Sequence, residues 1–301
     1  MVNKITGLTN IEGSLRKKIS CILDSVGVEY RIFSRVKTLQ SLEEKIKRKG
    51  EGYYSAANGK KVQDIVGIRI VTYFYEDVDI LWNILKKKTD YYDAQEDNPK
   101  ENEFAVIRKN MICKMDPQNS QTLEECKSEY DSLKYVDNTY EIQFRTINSE
   151  GWHEIDHLLK YKCKQDWEGL NDASRMFNGV YASLETNDRA IQSLLDDVAY
   201  HQFKHRRWES MMRMKYKLRF TEKKLSSDII RLFDEDSKLA KEMYRSDRAN
   251  VLFQMSSHSI NIPITFDNIV FVINRVQIHN QKLRDLEPEN ISQDLSVLAD
   301  R

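Results

Sequence analysis

Polar side chains suited to phosphate chemistry alternate along the segment YEIQFRT, residues 140–146. Because successive side chains of a β-strand point to opposite faces, Glu141, Gln143 and Arg145 share one face, and the apolar residues between them share the other. One face therefore presents a carboxylate, an amide and a guanidinium in a row. The alternative is a half-solvated edge strand with ordinary polar residues.

A second carboxylate, Asp64, begins the most strand-like run of the chain, DIVGIRIVTYF. This run is nearly all apolar, which is typical of a central buried strand, so Asp64 is predicted at the rim of the sheet. A magnesium ion bound to nucleotide phosphates needs only one or two protein carboxylates, which Asp64 and Glu141 can supply. Alternatively, Asp64 caps a turn or pairs with Arg69.

Cations and a hydroxyl cluster in the segment SRVKTLQSLEEK, residues 34–45. Arg35 and Lys37 are two residues apart and share a strand face, whereas Ser41 and Lys45 are four apart and share a helix face. The start of a helix also favours anions. This arrangement suits a triphosphate, and the alternative is an ordinary solvated run of charges.

These residues belong to four blocks that together resemble the synthetase domain of RelA/SpoT-family (p)ppGpp synthetases. The blocks follow the family's order and cover about residues 28 to 164. They are RIFSRVKTLQSLEEKIKRK, with the pattern R-x-K-x-x-x-S-x-x-x-K; DIVGIRIVTYFYEDV, with D-x-x-G-x-R; YEIQFRT, with E-x-Q-x-R-T; and WHEIDHLLKYK, with W-x-E-x-x-H-x-x-x-Y-K.

The resemblance implies an enzyme that transfers pyrophosphate from ATP to the 3′-hydroxyl of GDP or GTP, making (p)ppGpp with Mg²⁺ as cofactor. Such in-line transfer depends mainly on positioning and charge neutralisation. The same resemblance implies that ATP is bound by Arg35, Lys37, Ser41 and Lys45. It implies that Asp64 and Glu141 are the catalytic and magnesium-binding residues, and that Glu141 helps to deprotonate the attacking hydroxyl. It also implies that the acceptor is bound by Gln143, Arg145 and His157.

The family's acceptor loop reads G-Y-x-S-x-H, and its tyrosine stacks on the acceptor base. The corresponding segment here is EYDSLKYV, residues 129–136, which has glutamate in place of the glycine and Lys134 in place of the histidine. We predict a strand that places Tyr130, Ser132 and Lys134 on one face as acceptor-binding residues. The alternative for Tyr130 is plain strand packing. The changed loop leaves GDP, GTP, an adenine nucleotide and RNA open as acceptors.

Residues 153–157, HEIDH, also satisfy the H-E-x-x-H pattern of zinc peptidases. Two histidines four apart on a helix can bind zinc. The RelA/SpoT-like block already accounts for Glu154 and His157, however, and leaves only His153 as a coincidence. No clear third ligand is present, so the peptidase interpretation is the less economical one.

Residues 201–224 hold nine Lys or Arg interleaved with four aromatic residues. Such a segment can contact RNA through phosphates and unpaired bases. Alternatively, it is a basic amphipathic helix whose rings pack on the core, or an oligomer interface. Because some toxins that resemble this family modify the 3′ end of tRNA, tRNA stays an alternative acceptor and partner. A catalytically inactive nucleotide-binding module is a further alternative, which the presence of both Asp64 and Glu141 disfavours.

Hydrophobic periodicity predicts an α/β core over residues 1–170 and a mainly helical C-terminal extension over residues 171–301. The resemblance implies that the core is nucleotidyltransferase-like, with a mixed sheet flanked by helices. The predicted helices are 10–26, 39–49, 76–88 and 148 to about 164, and Asn148 is predicted to cap the last of them. The predicted strands are 28–37, 64–74, 130–136 and 139–146, with a strand-like stretch at 260–273. Residues 50–60 are predicted as a loop and residues 97–128 as irregular.

Composition limits the function classes. The formal net charge is zero, with 47 basic and 47 acidic residues, so a nucleic-acid contact would need a local patch. The four cysteines form no CxxC pair, which predicts free thiols in a reducing cytosol.

The N-terminus has no signal-peptide core and the chain has no 18-residue apolar run, so we expect a cytoplasmic protein without a membrane span. About 27 residues precede the first block, which predicts no separate hydrolase domain and no alarmone hydrolysis. The resemblance also makes a homo-oligomer a candidate assembly.

Overall fold

The computed structural model describes residues 5–49, 51–54, 60–96 and 109–298. The chain divides into two compact units. Unit 1 comprises Met1–Ser20, Tyr30–Thr72 and Leu85–Glu185, and unit 2 comprises Cys21–Glu29, Tyr73–Ile84 and Thr186–Arg301. The predicted domain boundary at residue 170 stays a prediction.

Unit 1 contains a five-stranded sheet in the order β1-β2-β5-β4-β3. The strands are β1 (Tyr30–Val36), β2 (Val66–Thr72), β3 (Tyr91–Glu96), β4 (Lys109–Lys114) and β5 (Thr139–Thr146). Strands β2 and β5 are parallel, and every other neighbouring pair is antiparallel. The sheet is therefore mixed and flanked by helices, as predicted.

The two faces of this sheet differ in polarity. On one face, Ile68 of β2 pairs with Ile142 of β5, and Phe144 and Met111 lie in the same layer; all four side chains are almost completely buried. On the other face, the register aligns Arg69 with Gln143. Period-two alternation therefore separates a core face from a polar face, and the polar face carries the candidate site.

Helices follow the predicted periodicity in the N-terminal part of the chain. Their bounds are α1 (Thr6–Ser25), α2 (Leu39–Lys49), α3 (Glu51–Tyr54), α4 (Tyr75–Lys88), α5 (Pro117–Glu129), α6 (Ile147–Ile155) and α7 (Asn171–Lys204). Helix α2 buries Leu42 and Ile46 as predicted, and its last turn carries three basic residues that suit the negative end of the helix dipole.

Five predictions for this part of the chain need correction. The predicted loop at 50–60 contains the one-turn helix α3, and the predicted irregular region at 97–128 contains β4 and α5, with residues 97–108 outside the described part. The segment predicted as a strand at 130–136 is a 3₁₀ helix, Asp131–Tyr135. Helix α6 is capped by Thr146, whose side chain accepts from the Ser149 N–H, and not by Asn148. After Ile155 the chain continues as a π-helix, Asp156–Tyr161, followed by a 3₁₀ helix, Lys164–Trp167.

Unit 2 is helical within the described residues, as predicted for most of this segment. Its further helices are α8 (Trp208–Tyr216), α9 (Ser227–Glu235), α10 (Ser237–Arg245), α11 (Arg248–Ser257), α12 (Phe266–Ile273), α13 (Gln281–Arg284) and α14 (Glu289–Asp294), with a π-helix at Asn274–Ile278 and a 3₁₀ helix at Leu295–Val297.

The strand predicted at 260–273 is wrong, because helix α12 occupies its second half. Seven of the eight side chains of α12 are buried, and a helix buried on all sides is apolar all round, which removes the helical period from its sequence. The Thr265 side chain accepts from the backbone N–H of Asn268 and marks the helix start.

Unit 2 also buries an ion-pair network. Arg248, 5% exposed, donates to Asp77 at 2.5 Å and to Glu76 at 2.9 Å, and Asp77 has no exposed side-chain surface. Lys217 lies 3.1 Å from the same Glu76 carboxylate. Burial raises the pKa of Asp77 despite the adjacent Arg248 guanidinium. No described helix is both long enough and apolar enough to cross a membrane.

Candidate active site

Two lysines hold Asp64 at the edge of the sheet where β2 begins. The Lys37 Nζ lies 2.5 Å from Oδ2 of Asp64, and the Lys45 Nζ lies 2.9 Å from Oδ1. Lys37 directly follows β1, and Lys45 is on α2. The structure thus brings three of the predicted residues together. The alternative pair between Asp64 and Arg69 does not form, because the Arg69 guanidinium binds other carboxylates.

Burial and mutual charge set the protonation of this cluster. Burial by itself would raise the pKa of Asp64, but the two neighbouring ammonium groups outweigh it and lower the pKa. Burial lowers the pKa of Lys37 more than Asp64 raises it. For Lys45, burial is opposed by the Asp64 carboxylate, and the net result is a raised pKa. The cluster therefore carries two ammonium groups around one carboxylate.

The second predicted carboxylate, Glu141, is held by two amides. Asn110 donates from Nδ2 to Oε1 of Glu141 at 2.9 Å, and Gln143 donates from Nε2 to Oε2 at 2.7 Å. Only 9% of Glu141 is exposed. In the β2–β5 register Glu141 pairs with Gly67, three residues after Asp64. The two carboxylates therefore lie toward the same end of the parallel pair.

Asn110 and Glu150 are site residues that the sequence analysis missed. Asn110 lies in the region predicted as irregular, but the β4–β5 register places it opposite Gln143. Glu150, in the first turn of α6, accepts from Arg69 at 2.7 Å and from Arg145 at 3.5 Å. An acidic residue in a first helical turn is a recognisable sequence signal, whereas the position of Asn110 depends on the sheet.

Arg69 and Arg145 form a cationic group beside Glu141. Arg69 donates to Gln143 at 3.2 Å and also binds the Glu150 and Glu154 carboxylates. Burial, together with the neighbouring Arg69, lowers the pKa of Arg145 to about 10. Arg145 therefore stays protonated at neutral pH, with Glu150 as its carboxylate partner.

The residues of the predicted W-x-E-x-x-H-x-x-x-Y-K block have two different roles: Trp152 packs in the core, and Glu154 and His157 belong to the polar side of the sheet. Trp152 is buried and donates from its indole nitrogen to the Phe177 carbonyl at 2.9 Å. His157 and Tyr161, both in the π-helix, stack with ring centroids 6.0 Å apart. Burial, then Lys162 and Arg35, lowers the pKa of His157. This environment favours the neutral form of the His157 imidazole, and Arg35 is one of the charges that act on it.

The segment predicted to bind the acceptor has a different conformation from the one expected. Tyr130 is the C-terminal cap of α5, and Ser132 and Lys134 lie in the 3₁₀ helix that follows. The three side chains therefore do not share a strand face, and Lys134 pairs with Asp131 at 2.8 Å in an exposed position. Val136 forms a parallel bridge to Val62, which ties this segment to the chain that leads to Asp64.

The remaining predicted ATP-binding residues lie beside the lysine cluster. Arg35 is exposed on β1, opposite Gly67. Ser41 is exposed on α2, and its hydroxyl accepts from Thr38 at 2.9 Å. The structure therefore places all four predicted ATP-binding residues at the junction of β1 and α2.

The zinc-peptidase interpretation of residues 153–157 finds no support in the described part of the chain. Within those residues, no group of three or more His, Cys, Asp or Glu side chains could hold a metal ion. Glu154, which would be the peptidase base, binds Arg69 instead. All four cysteines are free thiols, as predicted.

The aromatic residues of segment 201–224 are used for packing in unit 2. Trp208 and Tyr216 are 4% and 1% exposed. The ring of Phe203 stacks on Tyr244 at 4.9 Å, and the ring of Phe220 stacks on Phe266 at 4.1 Å. Packing therefore accounts for the buried rings of Trp208 and Tyr216, and Phe203 and Phe220 each stack on a neighbouring ring. RNA binding by this segment stays a prediction.

Comparison with known proteins shows similarity to one family over part of the chain. Residues 34–166 match a family described as "Region found in RelA / SpoT proteins". This match covers the same part of the chain as the four blocks and agrees with the resemblance predicted from them. The matched segment contains the Asp64 cluster, Glu141 and His157.

Individual relatives are similar over part of the chain. The GTP pyrophosphokinase YwaC of Bacillus subtilis (strain 168) is 28% identical over 137 residues, which are 44% of this chain and 59% of that protein. The chain thus aligns with about three-fifths of the length of this relative. Among solved structures, small alarmone synthetase 2 from Bacillus subtilis has 22% identity and a TM-score of 0.47, and covers 64% of this chain and 95% of its own. Small alarmone synthetase 1 from the same organism, bound to its product pppGpp, has 20% identity and a TM-score of 0.48, with the same coverage.

Proposed function

We propose that this protein transfers pyrophosphate from ATP to the 3′-hydroxyl of GDP or GTP, making (p)ppGpp. The observation that carries the proposal is the convergence on one polar sheet face of the Lys37–Asp64–Lys45 cluster and the amide-held Glu141. The first supplies charge for a polyphosphate, and the second supplies a proton acceptor. Relatives named as GTP pyrophosphokinase and as an alarmone synthetase bound to pppGpp support the same reaction.

In the proposed step, the acceptor's 3′-oxygen attacks the β-phosphorus of ATP. The new bond joins that oxygen to the β-phosphorus, and the bond between the β-phosphorus and the α–β bridging oxygen breaks, so AMP leaves. The proton of the hydroxyl passes to Glu141. Both Glu141 oxygens already accept an amide N–H, but each carboxylate oxygen has a second lone pair, so Glu141 can hold the hydroxyl while staying fixed in place.

The lysines provide the charge that this step requires. In the protein without nucleotide, Lys37 and Lys45 neutralise Asp64. A triphosphate offers them stronger acceptors, and their transfer to the phosphates would free Asp64 to bind a cation. Arg35, exposed on the same side, adds a bidentate donor suited to phosphate oxygens. Positioning and neutralisation of charge supply most of the rate enhancement in phosphoryl transfer.

The donor set fits Mg²⁺, which prefers oxygen ligands and keeps several waters when it binds nucleotide phosphates. Asp64 and Glu141 would supply the protein oxygens, and since the described residues offer no third carboxylate to the group, phosphate and water would complete the shell. When bound, the ion would neutralise charge that develops on the transferred phosphates.

On the acceptor side, Arg145 and Gln143 extend the same β5 row beyond Glu141, with His157 on the neighbouring π-helix. We assign the acceptor's phosphates to Arg145, because its guanidinium lies on the same β5 face as Glu141 and Gln143 and is only 16% exposed. Tyr130, Ser132 and Lys134 keep their proposed role in acceptor binding through the 3₁₀ helix, without the shared face expected from a strand.

The reaction is tested with γ-labelled ATP and magnesium, offering GDP, GTP, ATP alone and bulk tRNA in parallel. We expect label in guanosine tetra- or pentaphosphate. The variant Glu141→Gln keeps the size of the side chain but loses the proton acceptor and one of the two amide hydrogen bonds, and we expect loss of transfer with the fold retained.

Three outcomes contradict the proposal. Label that moves only into tRNA would establish the alternative acceptor, and absence of label from every acceptor would favour a nucleotide-binding module. Full turnover by Glu141→Gln would overturn the catalytic assignment.

The four free cysteines fit a reducing compartment, so we expect the reaction in the cytoplasm. Self-association stays a prediction for light scattering to test.

A further inference from the structure

Two exposed histidines lie one turn apart at the C-terminal end of α7. His201 is in the last turn of the helix, and His205 directly follows it. Residues four apart share one face of a helix, and here the two rings face each other, with centroids 4.1 Å apart and an interplanar angle of 30°. This α7 histidine pair belongs to unit 2 and includes no residue of the candidate active site.

A hydrogen bond orients the second ring of the pair. The Nδ1 atom of His205 lies 2.8 Å from the backbone carbonyl oxygen of His201. Because a carbonyl oxygen only accepts, Nδ1 carries the hydrogen, and Nε2 of the neutral ring keeps its lone pair. A carbonyl that holds one ring nitrogen is the usual support of a metal-binding histidine, since it fixes the tautomer and the ring orientation. His205 is therefore oriented as a ligand through Nε2.

The other pair of histidines with this spacing, His153 and His157, is held differently. The ring of His153 lies edge-on to Trp152, whereas the ring of His157 stacks on Tyr161. Each of these imidazoles thus packs against an aromatic neighbour of its own. In the α7 histidine pair, by contrast, each imidazole has the other as its ring partner.

We propose that the α7 histidine pair binds a divalent transition-metal ion such as Zn²⁺ or Ni²⁺. Imidazole nitrogen suits these ions, whereas Mg²⁺ and Ca²⁺ prefer oxygen ligands. With metal–nitrogen bonds of about 2.0–2.1 Å, two imidazole nitrogens on one ion lie roughly 3 Å apart, which rings facing each other at 4.1 Å reach by small side-chain rotations. Within the described residues no third His, Cys, Asp or Glu joins the pair, so water or a small anion completes the shell.

The charges near the pair are compatible with a bound cation. The Lys204 ammonium lies over the ring of Tyr200 at 5.5 Å, and Arg206 donates to the backbone carbonyl of Asp234 at 3.1 Å. These two basic side chains are thus directed to other partners. The exposed Asp197 precedes the pair by one turn on the same side of the helix and adds negative charge there.

The test is a calorimetric titration with Zn²⁺, Ni²⁺ and Mg²⁺ in turn. The parent protein carries Cys21→Ser, because an exposed free thiol binds the same transition metals. It is compared with His201→Ala and His205→Ala in the same background. The matched control is His258→Ala: His258 is also exposed and its Nδ1 lies 3.0 Å from the carbonyl four residues earlier, but no histidine lies four residues from it in the sequence.

We expect either substitution in the pair to weaken Zn²⁺ and Ni²⁺ binding at least tenfold, because even the loss of an outer-shell partner costs about 10–100-fold in metal affinity. His258→Ala should keep the parent affinity, and excess Mg²⁺ should not compete. In the parent with labelled histidines, substoichiometric Ni²⁺ should broaden the imidazole NMR signals of His201 and His205 before those of the other histidines.

Unchanged Zn²⁺ affinity in both variants of the pair would overturn the site, and so would equal weakening in His258→Ala or first broadening at another imidazole. Thermal unfolding in the presence of a chelator separates a lost ligand from a lost fold. His201→Ala keeps the backbone carbonyl that orients the second ring, so we expect its unfolding temperature in chelator to match that of the parent. Weaker binding accompanied by a large fall in that temperature would assign the pair a structural role instead.

Discussion

The Asn110 side chain donates a 2.9 Å hydrogen bond to Oε1 of Glu141, from a strand neighbouring the one that carries the glutamate. These residues are 31 positions apart in sequence, and only the β4–β5 register brings them together. Gln143 holds the other oxygen from within the same strand. Asn110 is therefore a positioning residue for the proposed base.

Replacing Asn110 with alanine should lower kcat by roughly tenfold, because a hydrogen bond to a charged group contributes on the order of 1.5–3 kcal/mol. KM for ATP should stay unchanged, since Asn110 contacts none of the lysine cluster. Steady-state kinetics at varied ATP and acceptor concentrations measures both. The matched control is Asn290→Ala, an exposed residue of unit 2. A rise in KM for ATP with unchanged kcat would contradict the positioning role.

The Asp64 carboxylate should make stability depend on acid pH. Burial opposes its ionisation, but Lys37 and Lys45 outweigh burial and lower its folded-state pKa. A lowered carboxyl pKa contributes stability that is present above the unfolded value, about 4, and lost as pH falls through the folded value. Urea unfolding between pH 7 and pH 3 should therefore show a steeper loss in wild type than in Asp64→Asn. Parallel curves for the two proteins would count against the ion-pair cluster, and Asp228→Asn serves as the exposed control.

Nucleotide binding should raise the pKa of His157. Burial, Lys162 and Arg35 lower this pKa in the free protein, and phosphates bound at Arg35 would offset the cationic part of that effect. The imidazole signals of His157 and of the exposed His258 in unit 2 can be followed by NMR over pH 5 to 8, with and without an ATP analogue that cannot transfer pyrophosphate. An upward shift at His157 alone is expected. An unchanged His157 titration in the saturated protein would contradict phosphate binding at Arg35.

Replacing Arg248 alone should lower the free energy of unfolding, and replacing Arg248 and Asp77 together should restore most of it. Arg248→Met leaves Asp77 buried and unpaired, and breaking such a pair costs about 3–5 kcal/mol. The double variant Arg248→Met with Asp77→Leu removes both charges and should recover most of that loss. Chemical denaturation of the whole chain measures the free energy of unfolding. A double variant no more stable than the single one would imply that neighbouring charges such as Glu76, rather than Asp77, dominate the network.

Sequence patterns predicted the elements whose side-chain period is clear. The alternation in YEIQFRT gave the two faces of β5 correctly, and the burial of Leu42 and Ile46 on α2 followed from their spacing. Helix α5 was missed because its buried residues are Asn119, Leu123 and Cys126, a set with one large apolar side chain and no visible hydrophobic stripe. The 3₁₀ helix at Asp131–Tyr135 was mistaken for a strand because apolar and polar residues alternate in its second half, at Leu133, Lys134 and Tyr135.

By itself, the sequence determined the residue types, their order and the faces they share along one element: Arg35 before Lys37, Ser41 before Lys45, and Glu141, Gln143 and Arg145 in one row. The tertiary structure decided which of them meet. The Lys37–Asp64–Lys45 cluster and the Asn110–Glu141 hydrogen bond both join separate elements. Such contacts depend on strand order and register, which are set by burial of the whole apolar face and not by any local pattern.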